Sequence, residues 1–232
     1  MLFTIGALKK TSLLDFPDKI STIVFTLGCN FRCGYCHNAW LLNSDSKKDI
    51  FSTDVFFEFL KKRQGKLDGV VISGGECTMQ PDLIPFVKEI KKLNFAVKID
   101  TNGYRPDIIS DLLKYNLVDY FAMDIKAPLD KYSMITNIKI DTKKIKESIN
   151  LIMNSGIEYE FRTTVLKSQL ILDDFEKIGK LIFNADKYFL QKFIATSEIY
   201  DESLKFDKSY TNDEFKEIIE ILKKYIKHVY LR

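Results

Sequence analysis

Hydrophobic and polar positions follow a repeating order along the chain. A short apolar run of strand length is followed by a turn and then by a segment in which apolar residues recur every three or four positions. The strand-like runs lie at 20–27, 69–72, 95–99, 120–123, 159–165 and 188–194. The helical segments lie at 53–64, 82–93, 106–114, 142–154, 172–183 and 212–227. The pattern therefore predicts six strand-helix units.

Alternation of strands and helices predicts an α/β fold with a parallel sheet and right-handed crossovers. A closed eightfold barrel takes about 250 residues, so six units in 232 residues favour a partial (β/α)6 TIM-like barrel. An open doubly wound sheet is the alternative, but the first strand runs into Gly28-Cys29 and lacks the usual glycine fingerprint. We predict a short N-terminal hairpin with Pro17-Asp18 as its turn, and a C-terminal helix. No linker divides the chain, so we expect one domain over 1–232 with its core at about 20–195.

Composition narrows the class of protein. Hydrophobic residues make up 46% of the chain and charged residues 29%, which is typical of a folded protein. A net charge of +3 from 35 basic and 32 acidic residues is too balanced for most nucleic-acid binding, so we expect no nucleic-acid partner. The chain has neither a secretory pattern at its start nor a run of about 18 apolar residues. We therefore expect no membrane contact and a cytoplasmic location.

Three of the four cysteines, Cys29, Cys33 and Cys36, stand within eight residues in the spacing C-x3-C-x2-C. In a reducing compartment such a cluster indicates a metal site, and soft sulfur ligands favour zinc, copper(I) or an iron–sulfur cluster. A structural zinc site requires a fourth ligand, which His37 or Cys77 would have to supply. A four-iron cluster held by three cysteines leaves one iron open to a substrate.

Polar residues also follow the predicted strands, at Gly74–Glu76, Asp100–Thr101, Asp124–Lys126 and Arg162. Each group lies on a strand or just after its carboxyl end, where barrel enzymes build their active sites. Taken singly, these residues have simpler explanations: a turn, an ion pair, or a salt bridge between Arg162 and Asp124. Their common placement at one end of the predicted barrel favours a binding site.

The run 28–38, Gly-Cys-Asn-Phe-Arg-Cys-Gly-Tyr-Cys-His-Asn, closely resembles the cluster loop of the radical S-adenosylmethionine (SAM) enzymes. Its Tyr-Cys-His-Asn ending resembles the glycyl-radical activating enzymes in particular. The preceding Lys-Thr-Ser-Leu-Leu-Asp-Phe-Pro, at 10–17, is similar to the longer form of anaerobic ribonucleoside-triphosphate reductase activating protein. The resemblance implies that the three cysteines hold a [4Fe-4S] cluster whose fourth iron is chelated by the amino and carboxylate groups of SAM.

The resemblance also implies roles for individual residues. The Gly-Gly-Glu segment would hold the methionine amino group, and the residues after the third and fourth strands would contact the ribose and carboxylate of SAM or a monovalent cation beside it. Cys77 stands where the family has proline, and we expect it to be a buried bystander. The implied cofactor-binding residues are Tyr35, His37, Gly74, Gly75, Glu76, Asp100, Thr101, Lys126 and Arg162, and the implied cation ligands are Asp100, Thr101 and Asp124.

The resemblance implies a radical SAM activase. Reductive cleavage of SAM would yield a 5′-deoxyadenosyl radical that generates a glycyl radical on anaerobic ribonucleoside-triphosphate reductase. A small flavodoxin-type or ferredoxin-type protein is expected as the electron donor. The alternatives are activation of another glycyl-radical enzyme of the pyruvate formate-lyase type, a small-molecule radical SAM enzyme of the 7-carboxy-7-deazaguanine synthase type, and a non-catalytic metal-binding module.

Overall fold

The computed structural model describes residues 3–42, 51–195 and 199–232. Its centre is an eight-stranded sheet in which the strands follow one another in chain order. The second to eighth strands are parallel, and the first strand is antiparallel to the second. The strands are β1 (Ile5–Ser12), β2 (Ser21–Thr26), β3 (Gly69–Gly74), β4 (Ala96–Thr101), β5 (Tyr120–Asp124), β6 (Glu158–Val165), β7 (Lys187–Lys192) and β8 (His228–Leu231).

Helices connect the parallel strands, as the sequence predicts. They are α1 (Thr53–Lys61), α2 (Leu83–Lys92), α3 (Pro106–Lys114), α4 (Tyr132–Thr136), α5 (Thr142–Met153), α6 (Leu172–Leu181) and α7 (Asn212–Leu222). All six predicted strand-helix units are present, and the partial TIM-like barrel is confirmed. None of the described helices is long and apolar enough to cross a membrane.

Two elements were absent from the predicted fold. The last helix ends at Leu222 and not at 227, and the chain then forms β8, which pairs with β7 as a seventh parallel strand. The single-turn helix α4 follows β5 before α5 begins. Both elements are four or five residues long, so they offer too few positions for a periodic pattern to be recognised.

The predicted hairpin is present, with its second strand now defined. β1 pairs with β2 from Ile5 opposite Thr26 to Ser12 opposite Ser21, and the register shifts between Ile5 and Ala7 and again between Lys9 and Ser12. The expected turn at Pro17-Asp18 is also present, because Asp18 adopts a left-handed φ of 57° and the Lys19 amide donates to the Phe16 carbonyl at 3.2 Å. This turn carries Phe16 to one end of the barrel interior, where it packs with Ile23, Val71, Tyr120 and Ala122.

The barrel interior changes character along its axis. Because side chains on a strand alternate between two faces, residues two apart on β4, β5 and β6 share the interior face. On β5 that face carries Tyr120, Ala122 and then Asp124. On β6 it carries Glu160 and Arg162. The interior is therefore apolar near Phe16 and charged towards the carboxyl ends of the strands.

Candidate active site

A cavity of about 290 Å³ lies at the carboxyl ends of the parallel strands. It is bounded by the loop 28–38 after β2 and by the residues that end β3 to β7. All the residues predicted from the sequence to form a site lie on it. They are Cys29, Cys33, Tyr35, Cys36, His37, Gly74, Gly75, Glu76, Asp100, Thr101, Asp124, Lys126 and Arg162.

The end of β3 supports the cysteine loop directly. The Glu76 amide donates to the Gly28 carbonyl oxygen at 2.8 Å. A Cβ atom on Gly75 would lie only 2.1 Å from that same oxygen, so no larger residue fits there. Gly74 has a left-handed φ of 119°, and a Cβ there would be 2.1 Å from the Thr26 amide nitrogen. The two glycines thus allow β3 to pack closely against the start of the cysteine loop.

A second segment, after β7, pairs with the other end of the cysteine loop. The Tyr200 amide donates to the Cys36 carbonyl at 3.2 Å, and the Asp201 amide donates to the Gly34 carbonyl at 2.9 Å. Leu204 packs over Gly34. These contacts hold the loop between β3 and the chain beyond β7, and no sequence motif indicated them.

The three clustered cysteines are free thiols at the cavity wall. Burial raises the pKa of all three, and for Cys29 burial and the nearby Glu76 carboxylate raise the pKa to about 12. Such thiols become thiolates when a metal compensates the charge. Among the described residues, no three His, Cys, Asp or Glu side chains are grouped closely enough to hold one metal ion. In a four-iron cluster each thiolate binds its own iron, and three cysteines around one cavity fit that arrangement.

Cys77 does not belong to this group. Its side chain is fully buried within the hydrophobic core, and its thiol donates to the Asp100 carbonyl at 3.3 Å. Burial holds its pKa well above the ordinary value for a thiol. The expected burial of Cys77 is confirmed, and its role as a bystander to the cluster stays a prediction.

Glu76 is buried and holds the ends of two strands together. One carboxylate oxygen, Oε1, accepts hydrogen bonds from the Thr78 hydroxyl at 2.6 Å and the Thr101 hydroxyl at 2.7 Å. The other, Oε2, accepts the Asn102 amide at 2.7 Å. Burial raises the pKa of Glu76, although these donors oppose the rise. A carboxylate oxygen has two lone pairs, so Oε2 keeps capacity for one further donor from the cavity.

Five charged side chains form an alternating chain, and all of them except Lys98 line the cavity. The Lys98 ammonium lies 2.6 Å from an Asp100 carboxylate oxygen. The Arg162 guanidinium lies 3.2 Å from Asp100 and 2.9 Å from Asp124. The Lys126 ammonium lies 3.0 Å from Asp124. The ion-pair explanation of Arg162, Asp124 and Lys126 is therefore what the structure shows.

This chain contains three cations and two anions. Burial opposes charge on Asp124, but Arg162 and Lys126 outweigh that effect and lower its pKa to about 2. Burial likewise opposes charge on Asp100, and Lys98 and Arg162 lower its pKa. Asp124 holds the pKa of Lys126 well above its ordinary value despite burial. The Asp100 and Asp124 carboxylates are therefore charged near neutral pH, and Lys126 and Arg162 contribute cationic side chains to the cavity lining, which suits the carboxylate of a ligand.

The cation ligands expected at Asp100, Thr101 and Asp124 already have protein partners. Arg162 lies between the two carboxylates, and the Thr101 hydroxyl donates to Glu76. The cation stays a prediction.

Tyr35 and His37 lie on the cavity as expected, and the His37 ring packs 5.6 Å from the ring of Phe193. Burial lowers the pKa of His37, which favours a neutral imidazole.

Sequence reasoning missed two residues of the site. Lys98 is 2% exposed, and its position two residues before Asp100 on a strand was the available signal, since both then face the barrel interior. Asn102 lines the cavity and contacts both the cysteine loop and Glu76. Asn102 follows the Asp100–Thr101 pair that was predicted to contact the cofactor, but no role was predicted for Asn102 itself.

Comparisons with known proteins agree with this geometry. Residues 23–182 match the Radical SAM superfamily. MJ1227 of Methanocaldococcus jannaschii, a provisionally assigned glycyl-radical enzyme activating enzyme, is 35% identical over 230 residues, which cover 95% of this chain and 92% of that protein. Pyruvate formate-lyase-activating enzyme of Clostridium pasteurianum is 29% identical over 239 residues, 97% of each chain. The crystal structure of QueE from Escherichia coli shares the fold, with a TM-score of 0.57 at 15% identity over 99% of this chain and 93% of that one.

Proposed function

Because this chain belongs to the radical SAM superfamily and is related to glycyl-radical enzyme activating enzymes, we propose that it generates a glycyl radical on a partner enzyme. It is an enzyme whose cofactors are a [4Fe-4S] cluster and SAM. The observation that carries the proposal is the meeting of three free cysteines with the cationic side chains of Lys126 and Arg162 on one cavity. We assign the whole of 1–232 to one domain, since the core extends from Phe3 to Ile226.

When bound, the cluster and SAM supply a 5′-deoxyadenosyl radical that takes a hydrogen atom from a glycine of the partner. Cys29, Cys33 and Cys36 would hold the cluster at one wall of the cavity. Lys126 and Arg162 would bind the carboxylate of SAM, because both are cationic side chains of the same cavity lining.

Other groups would orient the rest of the cofactor. The free capacity of Glu76 Oε2 suits the methionine ammonium group, which is a donor. Gly74, Gly75, Tyr35 and His37 would contact the cofactor from the cysteine side of the cavity. Asp100 and Thr101 would face its ribose or a monovalent cation.

Two partner enzymes are candidates. Anaerobic ribonucleoside-triphosphate reductase is our first proposal, supported by the similarity of 10–17 to its activating protein. Pyruvate formate-lyase is the second, supported by the relative from Clostridium pasteurianum that matches 97% of this chain. A flavodoxin-type or ferredoxin-type protein would supply the electron in either case.

Anaerobic reconstitution with iron and sulfide tests the proposal. We expect a brown protein that, once reduced, converts SAM to methionine and 5′-deoxyadenosine. Incubation with each candidate partner should then produce a glycyl doublet in the electron paramagnetic resonance (EPR) spectrum of one of them. Formation of 5′-deoxyadenosine without a doublet on either partner would favour a small-molecule substrate. A colourless protein that binds zinc and does not cleave SAM would overturn the enzymatic proposal.

A further inference from the structure

Asn102 connects three segments of the candidate active site. It follows β4 directly and is 5% exposed. Its backbone amide donates to Glu76 Oε2 at 2.7 Å, and its side-chain Oδ1 accepts the Tyr104 amide at 3.0 Å. Its side-chain Nδ2 donates to Asn30 Oδ1 at 2.8 Å and lies 4.0 Å from Cys29 Sγ. Every polar group of this residue except the carbonyl thus has a partner in or beside the site.

The orientation of the Asn102 amide follows from its partners. An asparagine amide can be turned over in a structure, and only its hydrogen bonds tell oxygen from nitrogen. The backbone N–H of Tyr104 is a donor, so the atom facing it must be the carbonyl oxygen. The NH2 group therefore faces the cysteine loop. One of its two N–H bonds serves Asn30, and the second is available to the Cys29 sulfur.

Asn102 and Phe31 both present N–H donors to the Cys29 sulfur. The Phe31 amide lies 3.4 Å from Sγ, and the Asn102 NH2 group lies 4.0 Å from it. The backbone amide of Asn102 also binds the Glu76 carboxylate, so Asn102 stands between that carboxylate and the sulfur.

We propose that Asn102 is a positioning residue that sets the reduction potential of the cluster through an N–H donor to Cys29. The inference rests on the proposed function in one respect, that Cys29 is an iron ligand. Hydrogen bonds to cluster sulfurs favour the reduced and more negative state, so they raise the potential. Loss of the Asn102 donor should make the cluster harder to reduce.

Two variants remove the donor and keep the turn. Asn102→Ser leaves a hydroxyl that can accept the Tyr104 amide, because serine forms the same kind of local turn. Asn102→Asp keeps the shape and the acceptor but places negative charge towards Cys29. The matched control is Ser148→Ala, because the Ser148 hydroxyl donates to the Gly103 carbonyl at 2.6 Å and so supports the same loop without facing the sulfur.

The measurement is the midpoint potential of the reconstituted protein, obtained by EPR-monitored redox titration beside iron and sulfide content. For Asn102→Ser we expect a roughly tenfold shift of the one-electron equilibrium towards the oxidised state, about 59 mV more negative. Asn102→Asp should shift it further in the same direction, and Ser148→Ala should leave it unchanged. Unchanged potentials in both Asn102 variants, an equal shift in Ser148→Ala, or loss of iron from both Asn102 variants would overturn the proposal. Failure of the proposed function would instead appear in the unaltered protein, as absence of a cluster.

Discussion

The contact between Gly75 and Gly28 offers a sharp test of how β3 supports the cysteine loop. Gly75→Ala adds a Cβ atom 2.1 Å from the Gly28 carbonyl oxygen and 3.3 Å from the Cys29 amide nitrogen. Real Cβ atoms essentially never approach closer than 3.0 Å, so the oxygen would have to move by about 0.9 Å. A backbone carbonyl cannot rotate away as a side chain can. The start of the cysteine loop must therefore shift.

That shift has two measurable consequences. It strains the Glu76 amide hydrogen bond to the same carbonyl, now 2.8 Å long, and it displaces Cys29 from the other two cysteines. Overpacking of this kind costs about 1–3 kcal/mol. We expect the free energy of unfolding, measured in urea without iron, to fall by that amount. We also expect the iron content after reconstitution to fall well below that of the unaltered protein.

Gly34→Ala is the matched control. Gly34 lies in the cysteine loop itself, but the nearest atoms to its added Cβ are side-chain carbons of Leu204 at 3.0 Å and Asp201 at 3.1 Å. The Leu204 atom is the end of a flexible side chain, and the Asp201 contact has to lengthen by only a few tenths of an ångström, so this variant should bind iron normally. Normal iron content and unchanged unfolding in Gly75→Ala would refute the reasoning. Equal losses in both variants would show that the loop tolerates no added methyl group at all.

Three further predictions follow from the burial and charges of the site. Cys33→Ala should abolish iron binding and Cys77→Ala should keep it, because of these two cysteines only Cys33 lies on the cavity. The iron content after reconstitution measures both, and iron loss in the Cys77 variant would contradict the bystander role. Lys98→Met should lower the free energy of unfolding in urea by about 3 kcal/mol, because it leaves Asp100 without its buried ammonium partner. Adding Asp100→Asn should recover part of the loss, and full stability of the single variant would refute this prediction. The pKa of Asp124 falls from 3.8 to about 2 on folding, so its contribution to the free energy of unfolding is complete above about pH 4 and disappears as the pH falls towards 2. Asp124→Asn should flatten the dependence of the unfolding free energy on pH in that range. An unchanged dependence would contradict the ion pairs.

The sequence predicted elements well where several signals coincide. Helix α3 begins and ends where expected, at Pro106 and Lys114, because proline marks a first turn and a basic residue suits the last. The carboxyl ends of the parallel strands were also predicted, and with them the common location of the cysteines and the polar residues. In a parallel sheet those ends must meet at one edge, so topology alone brings the groups together.

The partners within the site were harder to predict, because they depend on cross-strand register. Asp124 lies opposite Arg162, and Asp100 lies opposite Ala122, so Arg162 can reach both carboxylates. A hydrophobic pattern specifies which face a residue occupies but not the neighbour it meets on the next strand. For the same reason no role was predicted for Lys98, which lies inside an apolar run.

Strand β8, which was absent from the predicted fold, also affects the charges around the site. Glu160 is buried beside the alternating chain, with a carboxylate oxygen 4.0 Å from the Arg162 guanidinium. It accepts hydrogen bonds from the Tyr120 hydroxyl at 3.0 Å and from Arg232, which follows β8, at 3.1 Å. Arg232 thus supplies the buried Glu160 carboxylate with a cation besides Arg162. The pairing of β8 with β7 places Arg232 there and reduces the share of the Arg162 charge that Glu160 takes, although Arg232 itself lies outside the cavity that Arg162 lines.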